Sequence, residues 1–303
     1  MAKPSSSPVP GAKSWTTAMR AVLILLALLP FAVPAMAAPA LWHVKGPKGE
    51  VALFGSIHLL PPGLRWRTPA IDKAMADADV FVFETPADGA ALARMQQLVA
   101  QHGLLPQGQS LRGLLPAAAR ADYDAALAAA QIPDAVIGHE RPWLADLQLL
   151  VAQTRREKFS PDAGVDRKVM AVAGARRKEV RYFETIDQQF ALLAPPDNDL
   201  QLQEFESDLK DYRKPDTELT ALVSAWARGD VAAIDRLMNG ELAAFPAAKK
   251  ALLTDRNRRW ALQIETMLQE KRRFFITVGA GHLAGPDGVP ALLRKAGYRV
   301  TGP

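Results

Sequence analysis

Two Gly-x-x-His motifs, each closing an apolar run, are the residues in this chain best placed to do chemistry. The first is Gly55-Ser56-Ile57-His58 after Val51-Ala52-Leu53-Phe54. The second is Gly279-Ala280-Gly281-His282 after Phe274-Phe275-Ile276-Thr277-Val278. Both runs read as buried strands, and the glycines mark sharp exits from them. A histidine three residues beyond such a glycine lies in the loop past a strand's carboxyl end, where open α/β sheets bind their ligands. Glu84 closes a further apolar run, Val80-Phe81-Val82-Phe83, and Thr85-Pro86 after it favours an extended exit. His58, His282 and Glu84 together form a His₂Glu set, which suits a catalytic zinc and tolerates manganese or cobalt. A water in the fourth position would be acidified by the metal.

The remaining histidines carry less. His43 alternates on the polar face of a strand, His102 lies in a polar Gln-His-Gly stretch, and His139 opens a helix-like segment. Several familiar motifs fail. His139-Glu140-Arg141-Pro142-Trp143 is not H-E-x-x-H. Gly279 to Ala284 mimics a dinucleotide fingerprint, yet the chain ends too soon to complete that unit. Ser56 has nothing that marks it as a nucleophile.

Three further spots offer polar groups. Gly164-Val165-Asp166 leads into a helix, where an acid in the first turn suits the helix dipole. Glu184-Thr185-Ile186-Asp187-Gln188 follows a strand-like run and reads as a helix N-terminus with Thr185 or Asp187 as cap. Asp255-Arg256-Asn257-Arg258-Arg259-Trp260 lies on a long helix, and its charges suggest a solvated face. Asn257, however, is unhelpful among strong helix formers, which suggests that Arg256 and Asn257 face something polar.

The elements that must position these groups follow from periodicity. Residues 41–45 and 50–57 are β-like around Gly46-Pro47-Lys48-Gly49, a hairpin. Residues 68–78 form a short helix, and 80–83 and 179–183 two short strands. Residues 272–278 form the last long strand, 289–296 a small helix and 298–301 an edge strand. Between them, about 89–177 and 185–271 are Ala- and Leu-rich, with apolar spacings of three and four, and predict helices. Breaks in the second stretch fall at Pro195-Pro196, Pro215, Gly229, Gly240 and Pro246. The expected class is α/β: a central, mostly parallel or mixed sheet built from both ends of the chain, with a large helical middle.

Residues 1–37 read as an export signal. Lys3, Lys13 and Arg20 precede or open an apolar run over 21–33, and Ala35-Met36-Ala37 supplies an A-x-A site. That run is shorter than the roughly 20 residues of a membrane span. A periplasmic or secreted product over 38–303 is expected, an uncleaved anchor being the alternative. Losing those three cations takes the net charge from +5 to +2, so the basic balance implies no nucleic-acid partner. The chain has no cysteine, which excludes disulfides, a thiolate nucleophile and a Cys-based metal site.

Taken in order, Gly55-Ser56-Ile57-His58, Glu84, Gly164-Val165-Asp166, Glu184-Thr185 with Gln188, Arg256-Asn257 and Val278-Gly279-Ala280-Gly281-His282-Leu283 resemble the TraB/GumN family. That family is related to the Tiki metalloproteases and more distantly similar to the erythromycin esterases. The resemblance spans about residues 41–301. It implies one α/β domain over 38–303 with two Gly-x-x-His motifs, a glutamate and an arginine around a single site. It also implies a metal-dependent hydrolase, peptidase-like, and the GumN-like branch suits the bacterial envelope. Under that reading His58, His282 and Glu84 hold Zn²⁺, Mn²⁺ or Co²⁺, with Glu84 either third ligand or general base. Arg256 takes the arginine role, stabilises a developing oxyanion, and matters for turnover more than for stability. Asp166, Glu184, Gln188 and Asn257 are additional site candidates. The partner is a peptide or small-molecule substrate. Two alternatives stay open: a metal-free, esterase-like hydrolase with His58 as base, and a ligand-binding protein without turnover.

Overall fold

The computed structural model describes residues 38–194, 198–215, 217–243 and 246–303. The export-signal reading of residues 1–37 and the break at Pro195-Pro196 lie outside the described residues.

Six strands form one sheet in the order β4-β3-β5-β2-β1-β6. They are β1 (Leu41–Lys45), β2 (Glu50–Ser56), β3 (Val80–Phe83), β4 (Glu179–Tyr182), β5 (Arg273–Gly279) and β6 (Arg299–Thr301). β1 and β2 pair antiparallel through the expected hairpin, and β6 pairs antiparallel with β1. β2, β5, β3 and β4 run parallel to their neighbours. The class is therefore α/β with a mixed sheet drawn from both ends of the chain. The last long strand, β5, inserts between β2 and β3, so the sheet's centre joins the two ends of the sequence.

Helices of seven residues or more supply the rest. They are α1 (Pro69–Asp77), α2 (Gly89–His102), α3 (Arg120–Ala130), α4 (Pro142–Arg156) and α5 (Val165–Ala175). Then come α6 (Ile186–Leu193), α7 (Asn198–Asp208), α8 (Thr217–Ala227), α9 (Asp255–Met267) and α10 (Val289–Lys295).

Alternation along the strands sends side chains into two apolar layers. Ala52, Phe54, Phe81, Phe83 and Phe275 pack with residues of α1, α5 and α8 on one face. Val51, Leu53, Val80, Val82, Phe274, Ile276 and Val278 pack with α9 and α10 on the other. Both faces are covered, which is why the parallel strands read as near-continuous apolar runs. A third cluster, including Tyr123, Leu127, Leu149, Phe205 and Leu209, gives the helical middle a core of its own. No helix among the described residues is long and apolar enough to cross a membrane.

The loop after β2 is clamped to the start of α5. Val165 N–H donates to the Ile57 carbonyl at 3.0 Å, and Leu60 and Ser160 form an antiparallel bridge. Gly164 makes that approach feasible, because a Cβ there would lie 2.1 Å from the His58 carbonyl oxygen. Gly164→Ala should force the backbones apart and cost about 1–3 kcal/mol, the usual range for overpacking. Gly174→Ala, in α5 with nothing within 4 Å of the added carbon, should stabilise by about 0.5–1 kcal/mol. Urea denaturation of the two variants checks the opposite signs.

Candidate functional site

The four parallel strands β4, β3, β5 and β2 end at one edge of the sheet, at Tyr182, Phe83, Gly279 and Ser56. Glu184, Glu84, His282 and His58 follow within three residues of those ends. The β3–β4 ladder continues for two more rungs. Phe183 N–H donates to Phe83 O at 3.0 Å and Glu184 N–H to Glu84 O at 2.8 Å, which sets the two glutamates side by side.

Arg256 reaches this edge from the first turn of α9 and is 5% exposed. Its Nε donates to Glu184 Oε1 at 2.9 Å and Oε2 at 3.2 Å. Its Nη2 donates to Glu184 Oε2 at 2.9 Å and Glu84 Oε2 at 2.7 Å. Its Nη1 donates to Leu252 O at 3.2 Å and contacts His282 Nε2 at 3.0 Å. All five guanidinium N–H groups are thereby engaged. The guanidinium also lies 4.6 Å over the Trp260 ring, which in turn stacks on Phe183.

These contacts fix the His282 tautomer. A guanidinium only donates, so Nε2 accepts and the proton sits on Nδ1, which donates to Asn257 Oδ1 at 2.6 Å. Asn257 Nδ2 donates onward to Asp287 O at 2.9 Å. Burial, reinforced by Arg256 and outweighing the pull of Glu84, lowers the His282 pKa to about 4. Glu84 Oε1 accepts from Gly279 N–H at 2.6 Å. Burial alone would raise the Glu84 carboxyl, but His282, Arg256, that N–H and His58 hold it below its ordinary value.

His58 stands apart from the buried group, with its side chain 72% exposed. Its Nδ1 pairs with Asp166 Oδ2 at 2.7 Å, which leaves Nε2 free. The hydrogen bond that the ring donates to Asp166 is the main reason its pKa rises to about 9, against the opposing effect of desolvation. The charges of Glu84 and Arg256 also act on it, so the exposed ring and the buried group share one electrostatic neighbourhood.

The sequence candidates are thus sorted. Glu84, Glu184, Arg256, Asn257 and His282 form one hydrogen-bonded cluster, and His58 with Asp166 stands beside it. Gln188 is spent elsewhere. It closes a capping box on α6, its side chain accepting from Thr185 N–H at 2.9 Å and its own N–H donating to Thr185 Oγ1 at 3.2 Å. The reading of Arg256 as a free oxyanion donor meets a physical obstacle, since no N–H remains to donate. The charge run of α9 turns inward at Arg256 and Asn257, which meet polar partners as Asn257 suggested. Four partners were missed: Trp260, the Gly279 N–H and the Leu252 and Asp287 carbonyls. Only Trp260 had a signal, its i+4 spacing from Arg256. Ser56 is buried, and its Oγ has no hydrogen-bond partner among the described residues.

A divalent metal would need lone pairs from His58, His282 and Glu84 together. His282 has none to offer, with Nε2 facing a guanidinium and Nδ1 protonated toward Asn257. Among the described residues, no group of three or more His, Asp or Glu side chains is arranged to hold a metal ion. As arranged, the three side chains do not fit a metal shell.

A model of the TraB/PrgY/gumN family matches residues 40–302. No curated protein and no solved structure matches the chain.

Two outcomes follow from the cluster. Arg256→Met would leave the Glu84 carboxylate buried without its cation and Glu184 with only Arg259 at 3.6 Å, which should cost about 3–5 kcal/mol in urea denaturation. Arg256→Lys, lacking the planar fork, should also lose stability, where the sequence alone suggested little change. Second, the unfolded chain protonates His282 near 6.5 while the native state resists until about 4. The native form therefore binds fewer protons in that window, and stability should fall as pH drops from about 6.5 to 4. Denaturation midpoints across that range, compared with His282→Gln, should show this component of the slope disappear in the variant.

Proposed function

The chain belongs to the TraB/PrgY/gumN family, and on that footing we propose that it is a metal-independent hydrolase of ester or peptide bonds whose reacting groups are His58 and Glu84. One observation carries the reading. A solvent-facing imidazole, fixed by Asp166 at 2.7 Å, lies within electrostatic reach of a carboxylate fixed by Gly279 N–H and Arg256. Two titratable groups whose surroundings push their pKa values apart are the usual arrangement for acid and base roles. The resemblance to Tiki metalloproteases and erythromycin esterases supports hydrolysis as the reaction class. Export by residues 1–37 to the bacterial envelope belongs to the same proposal.

The roles follow from protonation. At neutral pH, Asp166 keeps the His58 ring charged, so its Nε2–H is a donor. That donor meets the carbonyl oxygen of the substrate and stabilises the negative charge that develops there. The Glu84 carboxylate accepts a proton from the attacking water as the new C–O bond forms. When the tetrahedral intermediate collapses, the leaving alcohol or amine takes the proton held on Glu84. A depressed carboxyl is a weak base, so the rate depends on positioning. Arg256, Glu184, His282 and Asn257 provide that positioning by holding Glu84 in place.

The test is a screen of peptide and ester libraries, with and without EDTA. Activity should survive chelation, and Glu84→Gln should lower kcat by about 10²-fold or more. Because the charged form of His58 is the working one, kcat/KM should fall as pH rises through about 9. Asp166→Asn removes the main cause of the raised pKa and should move that limb down toward 6.5. A rate that instead climbs toward pH 9 would make His58 the base. Activity only with added Zn²⁺, Mn²⁺ or Co²⁺ would replace this reading with the metal-dependent one. No hydrolysis at all would leave a ligand-binding protein.

A further inference from the structure

A surface groove of about 900 Å³ lies beside the His58–Asp166 pair. One wall is the 61–67 loop. The other is a face of α5 presenting Lys168, Ala171, Val172 and Ala175 at three- and four-residue spacing. Pro61, three residues past His58, and Ala163, three before Asp166, both line it, as does Ser160, whose backbone bridges Leu60. Trp66 lies at its floor, 6% exposed and stacked on Phe54 at 5.5 Å, which makes this end of the groove rigid.

The lining combines apolar surface with unpaired positive charge. Leu64, Trp66 and Val172 supply apolar contact. Arg65 comes from the loop wall and Lys168 from the helix wall, both exposed. Neither is paired with a carboxylate among the described residues. The other lining charges are already satisfied: Arg67 binds Asp72 at 2.6 Å, and Asp162 is held by Arg167. The groove therefore offers two unpaired cations, one on each wall, beside apolar lining, a size and composition typical of ligand sites.

We infer that this groove binds the acidic, partly apolar peptide segment of a substrate, with its carboxylates between Arg65 and Lys168 and its apolar side chains on Trp66 and Val172. The inference rests on the proposed hydrolytic role of His58 and names the class of substrate.

The test uses the full-length protein and two fluorescent octapeptides of equal apolar content, one carrying glutamates and one carrying lysines. Anisotropy at low salt should show the acidic peptide binding more tightly, with affinity falling as salt is added. Arg65→Glu with Lys168→Glu should weaken acidic-peptide binding about tenfold and improve binding of the basic one. The melting temperature should not change, since both side chains are exposed and unpaired. Equal binding of the two peptides, or binding unaffected by the charge reversal, overturns the inference. Charge-dependent binding without cleavage keeps the groove and removes the hydrolase. Cleavage with a KM insensitive to the reversal does the opposite.

Discussion

One buried guanidinium organises the functional end of this protein. Arg256 arrives from α9 and binds carboxylates that follow β3 and β4, the imidazole that follows β5, and the carbonyl of Leu252. A cation at 5% exposure is tolerable only when its charge and all its donors are met, and here they are. The arrangement works in both directions. Glu84 and Glu184 could not sit side by side at a sheet edge without the cation between them. His282 could not be held in one tautomer without a pure donor on one nitrogen and a pure acceptor on the other. The cluster is thus a scaffold that fixes Glu84, with the exposed His58–Asp166 pair at its margin.

That division explains how one sheet edge holds groups of opposite character. His58 faces solvent and gains a proton because Asp166 is its nearest charged neighbour. His282, three residues past an equivalent glycine, is enclosed against Trp260 and stays neutral. Identical motifs give different chemistry because the first is followed by a loop that leaves the sheet. The second is followed by a tight turn over Ala280–Leu283, which folds the ring back beneath α9.

Much of this was legible in the amino-acid sequence. Strands buried on both faces write themselves as continuous apolar runs, so β2, β3 and β5 were readable to within a residue or so. Glu84 and both histidines were placed by their position after those runs. The helix face at Arg256 was harder to read. Three arginines crowd residues 256–259, and charge alone does not tell which one turns inward. The apolar stripe of Trp260, Ala261, Ile264 and Met267, extended back one turn, points to Arg256 and Asn257, and that is the face the fold buries. Gln188 illustrates the reverse difficulty. A polar residue next to a site glutamate looks functional, while its local backbone partner three residues away decides its use. The Gly279 N–H had no side-chain signal, because a backbone donor is set by topology rather than by residue type.

The central position of β5 also has a temporal consequence. β2 and β3 are made early, yet neither pairs with the other. The strand that joins them is supplied only when residues 273–279 emerge, close behind α9 with its arginine. Until then two apolar strands keep unsatisfied edges, and Glu84 has neither the backbone donor nor the cation that later holds it. Such long-range closure slows folding and leaves intermediates open to misassociation. Assembly of the cluster is thereby tied to synthesis of β5: a nascent or truncated polypeptide carries His58, Asp166 and both glutamates but not the centre that aligns them.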